Sequence, residues 1–299
     1  MSRILVIGST NTDMVIKSKK LPAPGETILG GTFLMNQGGK GANQAVAAVR
    51  LGGNVTFVTK VGNDMFGSES LSTFRNEGID TRFIIEDKEH PSGVALINVD
   101  EKGENCIVVA QGANGYLFPG DVKEEVFDSN SSDILLMQLE IPMETVEYAA
   151  QNASDRGTRV ILNPAPAAKL SFELLKCLFC ITPNETEAEL LTGIRVFSVD
   201  TAQKAALHLY NKGVRNVIIT MGASGAYVLN EDFSDMISVV PVKAVDTTAA
   251  GDVFNGALAV ALSKDLNITD AVSFANKAAS VSVTRMGAQA SAPFKHEVL

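Results

Sequence analysis

The stretch Val245-Asp246-Thr247-Thr248-Ala249-Ala250-Gly251-Asp252 leads directly into an apolar run from Val253 to Leu262. That run predicts a helix that begins among the small residues. The first N–H groups of a helix have no partner and lie at the positive end of its dipole, so an anion can bind there. On this stretch alone Asp252 has two interpretations. It is either a helix cap or a base that accepts the proton of a hydroxyl attacking a phosphate.

A second glycine-rich stretch, Gln37-Gly38-Gly39-Lys40-Gly41-Ala42-Asn43, also precedes a helical pattern. Its glycines permit a ligand to approach the backbone closely, and its lysine and asparagine offer hydrogen-bond donors. The alternative is a plain turn before a helix. The spacing is not that of a Walker A loop. The first predicted strand is followed by Gly8-Ser9-Thr10-Asn11 rather than GxGxxG, so a dinucleotide-dependent dehydrogenase is disfavoured.

Short apolar segments alternate with helical patterns along most of the chain, which predicts a parallel sheet covered by helices on both faces. The predicted helices cover 41–51, 66–77, 143–156, 185–191 and 201–212, and two more begin at 252 and 270. The predicted strands cover 4–8, 55–61, 134–139, 160–163, 179–182 and 217–221. Four other segments with a strand-like pattern predict a small inserted sheet, and they cover 14–19, 27–34, 93–99 and 106–109.

Polar residues follow these predicted strands one after another. They are Asn11 and Asp13, then Glu140, Asn163, Asn184 and Glu187, and finally Thr220, Gly222, Ser224 and Gly225. In a parallel sheet covered on both faces, ligands bind beyond the carboxyl ends of the strands. The repetition of polar residues at one edge therefore indicates a binding site.

Composition excludes several classes of function. The chain has 299 residues, is 45% hydrophobic and carries a net charge of −9. This charge, without a dense run of lysine and arginine, argues against binding to nucleic acid.

No apolar stretch is long enough for a membrane span or a signal peptide. Cys106, Cys177 and Cys180 are expected to be reduced thiols in a cytoplasmic protein. None of the three histidines lies in a motif, so nucleophilic catalysis with histidine has little support.

Three stretches resemble the signatures of the ribokinase-like (PfkB) family of carbohydrate kinases, and the resemblance extends over essentially the whole chain. The run at 38–43 looks like the N-terminal signature and the run at 246–252 like the C-terminal one. Asn184-Glu185-Thr186-Glu187 between them looks like the NxxE motif. The resemblance implies an α/β fold in one domain over residues 1–299: a three-layer α/β/α sandwich with a mostly parallel central sheet. It also implies a small β-sheet lid with strands drawn from about 14–34 and 93–109.

The activity implied by the resemblance is ATP-dependent phosphorylation of D-ribose at its 5-hydroxyl, which gives D-ribose 5-phosphate. Two alternatives remain. A related kinase of the family would act on another sugar or on a nucleoside, for which Phe33 and Met35 are candidates for an apolar wall. A protein that is not an enzyme would sense a sugar or a nucleotide.

The resemblance also implies a role for each candidate residue. Asp252 is the general base, and the N–H groups of Ala249, Ala250 and Gly251 form the anion hole. The sugar is bound by Asn11, Asp13, Gly39, Lys40, Gly41, Asn43, Glu140 and Asp252. ATP is bound by Asn184, Thr220, Gly222, Ser224, Gly225, Gly251 and Asn276.

Two cations and a second subunit are implied in the same way. Glu187 organises the water shell of Mg²⁺. K⁺ is bound by Asp246, Thr248, Ser282, Arg285, Gly287 and Ser291, with Arg285 contributing only its carbonyl. The lid excludes water when it closes, and its exposed face pairs with a second copy of the chain to form a homodimer.

Overall fold

The computed structural model describes residues 3–128 and 134–298. Its strands are β1 (Arg3–Ile7), β2 (Asn11–Lys17), β3 (Thr32–Gly38), β4 (Asn54–Val58), β5 (Lys60–Gly62), β6 (Ile85–Asp87), β7 (Gly93–Val99), β8 (Asn105–Ala110), β9 (Ile134–Met137), β10 (Arg159–Leu162), β11 (Leu178–Ile181), β12 (Asn216–Thr220), β13 (Ala226–Leu229) and β14 (Ser234–Ile237). Its α-helices are α1 (Lys40–Arg50), α2 (Met65–Glu77), α3 (Met143–Asp155), α4 (Phe172–Cys177), α5 (Glu185–Thr192), α6 (Val199–Tyr210), α7 (Ala250–Ser263), α8 (Ile268–Ser282) and α9 (Lys295–Val298).

Eight strands form the central sheet, in the order β14-β13-β12-β11-β10-β9-β1-β4. The six strands from β12 to β4 are parallel, and β13 and β14 add antiparallel strands at one edge. Successive side chains of a strand point to opposite faces. Ile4 and Val6 of β1 accordingly belong to one apolar core, with α1, α7 and α8, whereas Leu5 and Ile7 belong to the other, with α3, α4 and α6. The predicted three-layer α/β/α architecture is confirmed.

The boundaries of several elements differ from the sequence prediction. The edge strands β13 and β14 were not predicted, since both are only four residues long. The predicted strand at 55–61 is two strands, β4 and β5. The predicted segment at 27–34 becomes a strand only at Thr32 and continues to Gly38, because β3 pairs with β2 along its whole length.

The four inserted segments form a second sheet in the order β3-β2-β7-β8. Its strand β2 follows β1 after three residues, so the second sheet begins at the edge where the central parallel strands end. In-register pairs show which residues share a face. Asp13 pairs with Asn36 and Ala95, whereas the next residue, Met14, pairs with Met35 and Leu96. Asp13 and Met14 therefore lie on opposite faces of this sheet.

Helices α1 and α7 pack against each other at unusually short range. A Cβ atom at Gly256 of α7 would lie 2.8 Å from both the Cβ atom of Ala47 and the carbonyl oxygen of Gln44 in α1. Because only glycine permits this approach, the two helices are held side by side. None of the helices in the described part of the chain is both long and apolar enough to cross a membrane.

Candidate active site

Asp252 lies in the first turn of α7, which starts at Ala250 after Ala249 adopts a left-handed conformation with φ of 57°. Among the described residues no side chain caps this helix. The two carboxylate oxygens of Asp252 instead accept hydrogen bonds from α1: Oδ2 from Nδ2 of Asn43 at 2.9 Å, and Oδ1 from Nε2 of Gln44 at 3.0 Å. The interpretation of Asp252 as a helix cap is therefore wrong.

The start of α7 also has free donors. The N–H group of Ala250 donates to the carbonyl of Thr247 at 3.2 Å, and that of Val253 donates to the carbonyl of Ala249 at 2.9 Å. Within the described residues, the N–H groups of Gly251 and Asp252 donate to no backbone carbonyl. Apart from the adjacent residues and the backbone of α7 itself, no heavy atom of the described residues lies within 4 Å of the position that a Cβ would take at Gly251. An anion can thus reach the free N–H groups, although the predicted donor of Ala250 is engaged in a turn.

The glycine-rich stretch wraps around the end of β1. Gly39 has φ of 87°, and a Cβ there would lie 2.6 Å from the backbone nitrogen of Asn11. The Oε2 atom of Glu140 accepts hydrogen bonds from the N–H of Lys40 at 3.0 Å and from the hydroxyl of Ser9 at 2.5 Å. The hydroxyl of Ser9 accepts in turn from the N–H of Gly41 at 3.3 Å. Glu140 therefore belongs to the same cluster as the glycine-rich stretch, from which it is separated by about a hundred residues.

Charged side chains gather in front of these elements. Burial, together with the carboxylates of Glu140 and Asp252, raises the pKa of Asp13 to about 7, although Lys40 lowers it. Burial also raises the pKa of Asp252. Burial lowers the pKa of Lys40, but the surrounding carboxylates outweigh it and the net shift is upward. The ammonium of Lys40 is thus held charged by carboxylates that repel one another.

Two amide groups of the cluster offer further contacts to a polar ligand. The Oδ1 atom of Asn43 is buried, and no donor among the described residues reaches it. The side chain of Asn11 is held by Asn114, whose Nδ2 donates to its Oδ1 at 2.8 Å. A ligand rich in hydroxyl groups suits such a collection of donors and acceptors.

Apart from Gly251 of α7, the residues predicted to bind a nucleotide lie near one another at the ends of β11, β12 and β14. Asn184 and Glu187 cap α5 reciprocally: Oδ1 of Asn184 accepts from the N–H of Glu187 at 2.8 Å, and Oε2 of Glu187 accepts from the N–H of Asn184 at 2.9 Å. Asn184 also forms a β-bridge with Thr220. The side chain of Asn276 donates to the carbonyl of Ile237 at 2.9 Å. The short helical turn Gly222–Ser224 and Gly225 follow β12, and a Cβ at Gly225 would meet the same carbonyl of Ile237.

The predicted cation ligands lie in two connected segments, the loop before α7 and the stretch from the end of α8 to the helical turn Gln289–Ser291. The carboxylate of Asp246 accepts from the N–H of Thr248 at 2.9 Å and from the N–H of Gly287 at 2.9 Å, and these bonds help to hold its pKa low against the effect of burial. The side chain of Arg285 forms an ion pair with Glu297, as expected if only its carbonyl serves the site. The hydroxyls of the two predicted serines donate to carbonyls of their own turns, Ser282 to Ala279 and Ser291 to Ala288.

Comparisons with known proteins agree with this geometry. The model of the pfkB family of carbohydrate kinases matches residues 1–295. The chain belongs to the pfkB family of carbohydrate kinases. It is 46% identical to a ribokinase of Haemophilus influenzae over 296 residues, which cover 99% of this chain and 97% of that protein. It is 38% identical to a deoxyribokinase of Salmonella typhi over 293 residues, which cover 97% and 95%.

A solved structure of a pfkB relative supports the same assignment. The structure of the Arabidopsis thaliana ribokinase complexed with ribose and ATP has a TM-score of 0.93 with this chain at 30% identity, and the match covers 100% of this chain and 98% of that one. The resemblance inferred from the signature stretches is therefore confirmed.

Sequence reasoning missed several polar residues of this pfkB site. They are Ser9, Gln44, Asn114, Gln138, Thr182 and Asn255, which are all buried. Two of these residues could have been identified from the sequence, since Gln138 and Thr182 lie at the ends of predicted strands. Gln44 had a weaker signal, because it directly follows Asn43 in the glycine-rich signature. Asn114 and Asn255 are recognisable only from the folded chain.

Replacing Asp13 with asparagine tests the electrostatics of the ligand-free site. The pKa of Asp13 is raised from 3.8 to about 7, so its contribution to stability is present below pH 3.8 and is lost as the pH rises through 7. Because asparagine does not ionise, the Asp13→Asn variant does not lose this stability as the pH rises. We expect its free energy of unfolding relative to the parent protein to increase by roughly 1–4 kcal/mol between pH 4 and pH 8, measured by urea denaturation.

The exposed Asp200 of α6 provides a matched control. Asp200 lies in the first turn of α6, where the helix dipole favours a negative charge, so Asp200→Asn should gain no stability relative to the parent protein between pH 4 and pH 8. A difference for Asp13→Asn that likewise fails to increase contradicts the raised pKa of Asp13.

Proposed function

We propose that this chain is a ribokinase, which transfers the γ-phosphoryl group of ATP to the 5-hydroxyl of D-ribose and yields D-ribose 5-phosphate. The observation that carries this proposal is the position of Asp252. Its carboxylate is buried between the polyol-binding side chains of α1 and the free N–H groups at the start of α7. The match over the whole chain to ribokinases, one of them solved with ribose and ATP, supports the same reaction.

The carboxylate of Asp252 accepts the proton of the 5-hydroxyl as the oxygen attacks phosphorus. Positioning and charge stabilisation supply most of the rate in phosphoryl transfer. The free N–H groups of Gly251 and Asp252, with the helix dipole behind them, stabilise the negative charge that develops on the transferred group. Ala249 turns the chain so that these donors face the open side of the helix.

The sugar is held by the cluster around the glycine-rich stretch. Lys40 donates to its hydroxyl oxygens, Asp13 and Glu140 accept from its hydroxyl protons, and Asn43 offers a free carbonyl oxygen. The remaining residues proposed to bind the sugar lie close to it or contact it through their backbone, and they are Asn11, Gly39 and Gly41. The second sheet carries Asp13 and acts as the lid, which excludes water when it closes over the sugar.

The nucleotide and the cations occupy the other side of Asp252. ATP is bound by the group described above: Asn184, Thr220, Gly222, Ser224, Gly225, Gly251 and Asn276. Glu187 fits a role in the water shell of Mg²⁺, because Mg²⁺ usually keeps several waters and takes few protein ligands. The oxygen-rich loops at 246–248 and 285–287 fit a hard cation such as K⁺. When bound, both cations supply positive charge that offsets the charge of the phosphates.

The two alternative substrates are a nucleoside and 2-deoxyribose, and a different observation bears on each. The candidate apolar wall for a nucleoside is absent from the site in the described residues, since Met35 lies on the face opposite Asp13, and Phe33, two residues before it, shares that face. The 38% identity to a deoxyribokinase keeps 2-deoxyribose as a second candidate substrate. Both sugars carry the same 5-hydroxyl.

A coupled assay of ADP release with a panel of acceptors tests the proposed reaction. We expect kcat/KM for D-ribose to exceed that for adenosine by more than about 100-fold, because differential binding decides specificity. Turnover should require Mg²⁺ and should be faster with K⁺ than with an organic cation in its place. Turnover of ATP without any dependence on sugar contradicts the proposal, and a preference for 2-deoxyribose assigns the second candidate.

Replacing Asp252 with asparagine tests the proposed base. The amide keeps the size of the side chain but cannot take up the proton, so kcat should fall by about 10²–10⁴-fold. Binding of ribose and ATP, measured by calorimetry, should change little. Asp200→Asn on α6 should keep the parental kcat. An active Asp252→Asn enzyme excludes Asp252 as the base.

The outer face of the lid is proposed to join two copies of the chain. In-register neighbours place Met14, Met35, Leu96 and Val108 in one row on the face opposite Asp13. Leu96 is 52% exposed and Val108 is 64% exposed. A row of exposed apolar side chains on a four-stranded sheet is typical of a surface that pairs with another protein.

Lysine substitutions test this homodimer. Leu96→Lys and Val108→Lys place charges within the apolar row, so we expect both variants to be monomers by light scattering, whereas the parent protein is a dimer. Leu207 on α6 is similarly exposed, at 47%, and Leu207→Lys is the control that should stay dimeric. A monomeric parent protein contradicts the proposal.

A further inference from the structure

A chain of buried amide groups lies behind the carboxylate of Asp252. The Nε2 atom of Gln44 donates to Oδ1 of Asp252 at 3.0 Å and to Oδ1 of Asn163 at 3.1 Å. The Oε1 atom of Gln44 accepts from Nε2 of Gln138 at 2.6 Å. Gln44 and Gln138 are fully buried, and Asn163 is nearly so. None of these three amides belongs to the residues proposed above to contact sugar, nucleotide or cation.

Backbone carbonyls fix the direction in which this chain donates. The carbonyl of Thr182 can only accept, so the Nδ2 atom of Asn163, 3.2 Å away, must face it. The Oδ1 atom of Asn163 is then left for Gln44, which must present its NH₂ group. Both hydrogens of that NH₂ group are therefore used, one towards Asn163 and one towards Asp252.

The same chain returns to the start of α7. The hydroxyl of Thr182 donates to Oδ1 of Asn255 at 2.6 Å. The Nδ2 atom of Asn255 donates to the carbonyl of Gly251 at 2.8 Å. The network thus holds both the carboxylate of Asp252 and the peptide that precedes it.

We propose that Gln44 is a positioning residue for the phosphoryl transfer: anchored by Asn163 and Gln138, its amide holds the carboxylate of Asp252 in one orientation and in the ionised form. The inference extends the proposed role of Asp252 as the base. A group that donates a hydrogen bond to a carboxylate favours its ionised form. Asn43 does the same for the second oxygen, but Asn43 also faces the sugar, whereas Gln44 contacts only protein.

The charged surroundings explain why such a donor is needed. Burial raises the pKa of Asp252, Lys40 of α1 lowers it, and Glu140 beyond β9 raises it. Asp13 of β2 and Glu187 of α5 also interact electrostatically with Asp252. Three carboxylates and one ammonium therefore surround the base, and the donors from α1 act in the same direction as the ammonium.

Replacing Gln44 with methionine removes the donor at nearly constant volume. We expect the acid limb of the pH profile of kcat/KM to move up by about 1 unit, because the ionised carboxylate loses a hydrogen bond. We expect kcat to fall by about 10–100-fold and KM for ribose to stay within about 3-fold, since the lost interaction does not touch the sugar. Gln44→Glu should move the limb further, because like charges raise the apparent pKa of the pair.

The control is Asn216→Leu, which removes a buried amide of β12 that donates to the carbonyl of Phe179. It should lower the melting temperature without moving the acid limb. If Gln44→Met does not fold, Gln138→Met releases the far end of the Gln44 amide and should move the limb in the same direction by less. Titration of the phosphates of ATP is common to all the variants and cancels in the comparison.

The outcomes separate this inference from the proposed function. An inactive Asp252→Asn enzyme together with a shifted limb in Gln44→Met supports both. An inactive Asp252→Asn enzyme with an unshifted limb, or a loss confined to the melting temperature, overturns the role of Gln44 alone. An active Asp252→Asn enzyme overturns both.

Discussion

The burial of the Asp252 carboxylate is the constraint on which the rest of the site depends. A carboxylate removed from water is tolerated when its oxygens accept hydrogen bonds, and both oxygens of Asp252 accept one from α1. These donors reach α7 because the two helices approach each other at Gly256. A larger side chain at that position would move the amides of Asn43 and Gln44 away from the carboxylate. The close packing of α1 against α7 is therefore required for the hydrogen bonds that stabilise the buried carboxylate of Asp252.

The charge balance among the protein's own groups in the site follows from this arrangement. In the part of the chain that the structure describes, four carboxylates lie around a single ammonium, that of Lys40, and the pKa of Asp13 and that of Asp252 are both raised. Repulsion of this kind opposes folding and is retained where a ligand relieves it. In the proposed function, the hydroxyls of the sugar donate hydrogen bonds to these carboxylates without adding charge, and the proposed cations add positive charge. The fold therefore positions charged groups whose mutual repulsion a bound ligand can reduce.

Local patterns predicted the parts of the fold that depend on neighbouring residues. The alternation of strands and helices, the starts of α1 and α7 and the polar residues at strand ends were all visible, because each depends on spacing within a short window. The amide chain from Gln44 to Asp252 was not visible, since its members are separated by about two hundred residues. The lid was predicted as a sheet, but β3 was placed several residues too early, because pairing with β2 and not local composition sets its limits.

The alternation of side chains along β2 links the two faces of the lid. Asp13 and Met14 are neighbours in sequence, yet one faces the charged cluster and the other faces the exposed apolar row. β2 is hydrogen-bonded to a strand on each side, so it moves as part of the whole sheet. Any contact that fixes the outer face therefore also restricts the position of Asp13. Where the outer faces of two lids pair, association and sugar binding act on the same rigid element, and each must change the free energy of the other by the same amount.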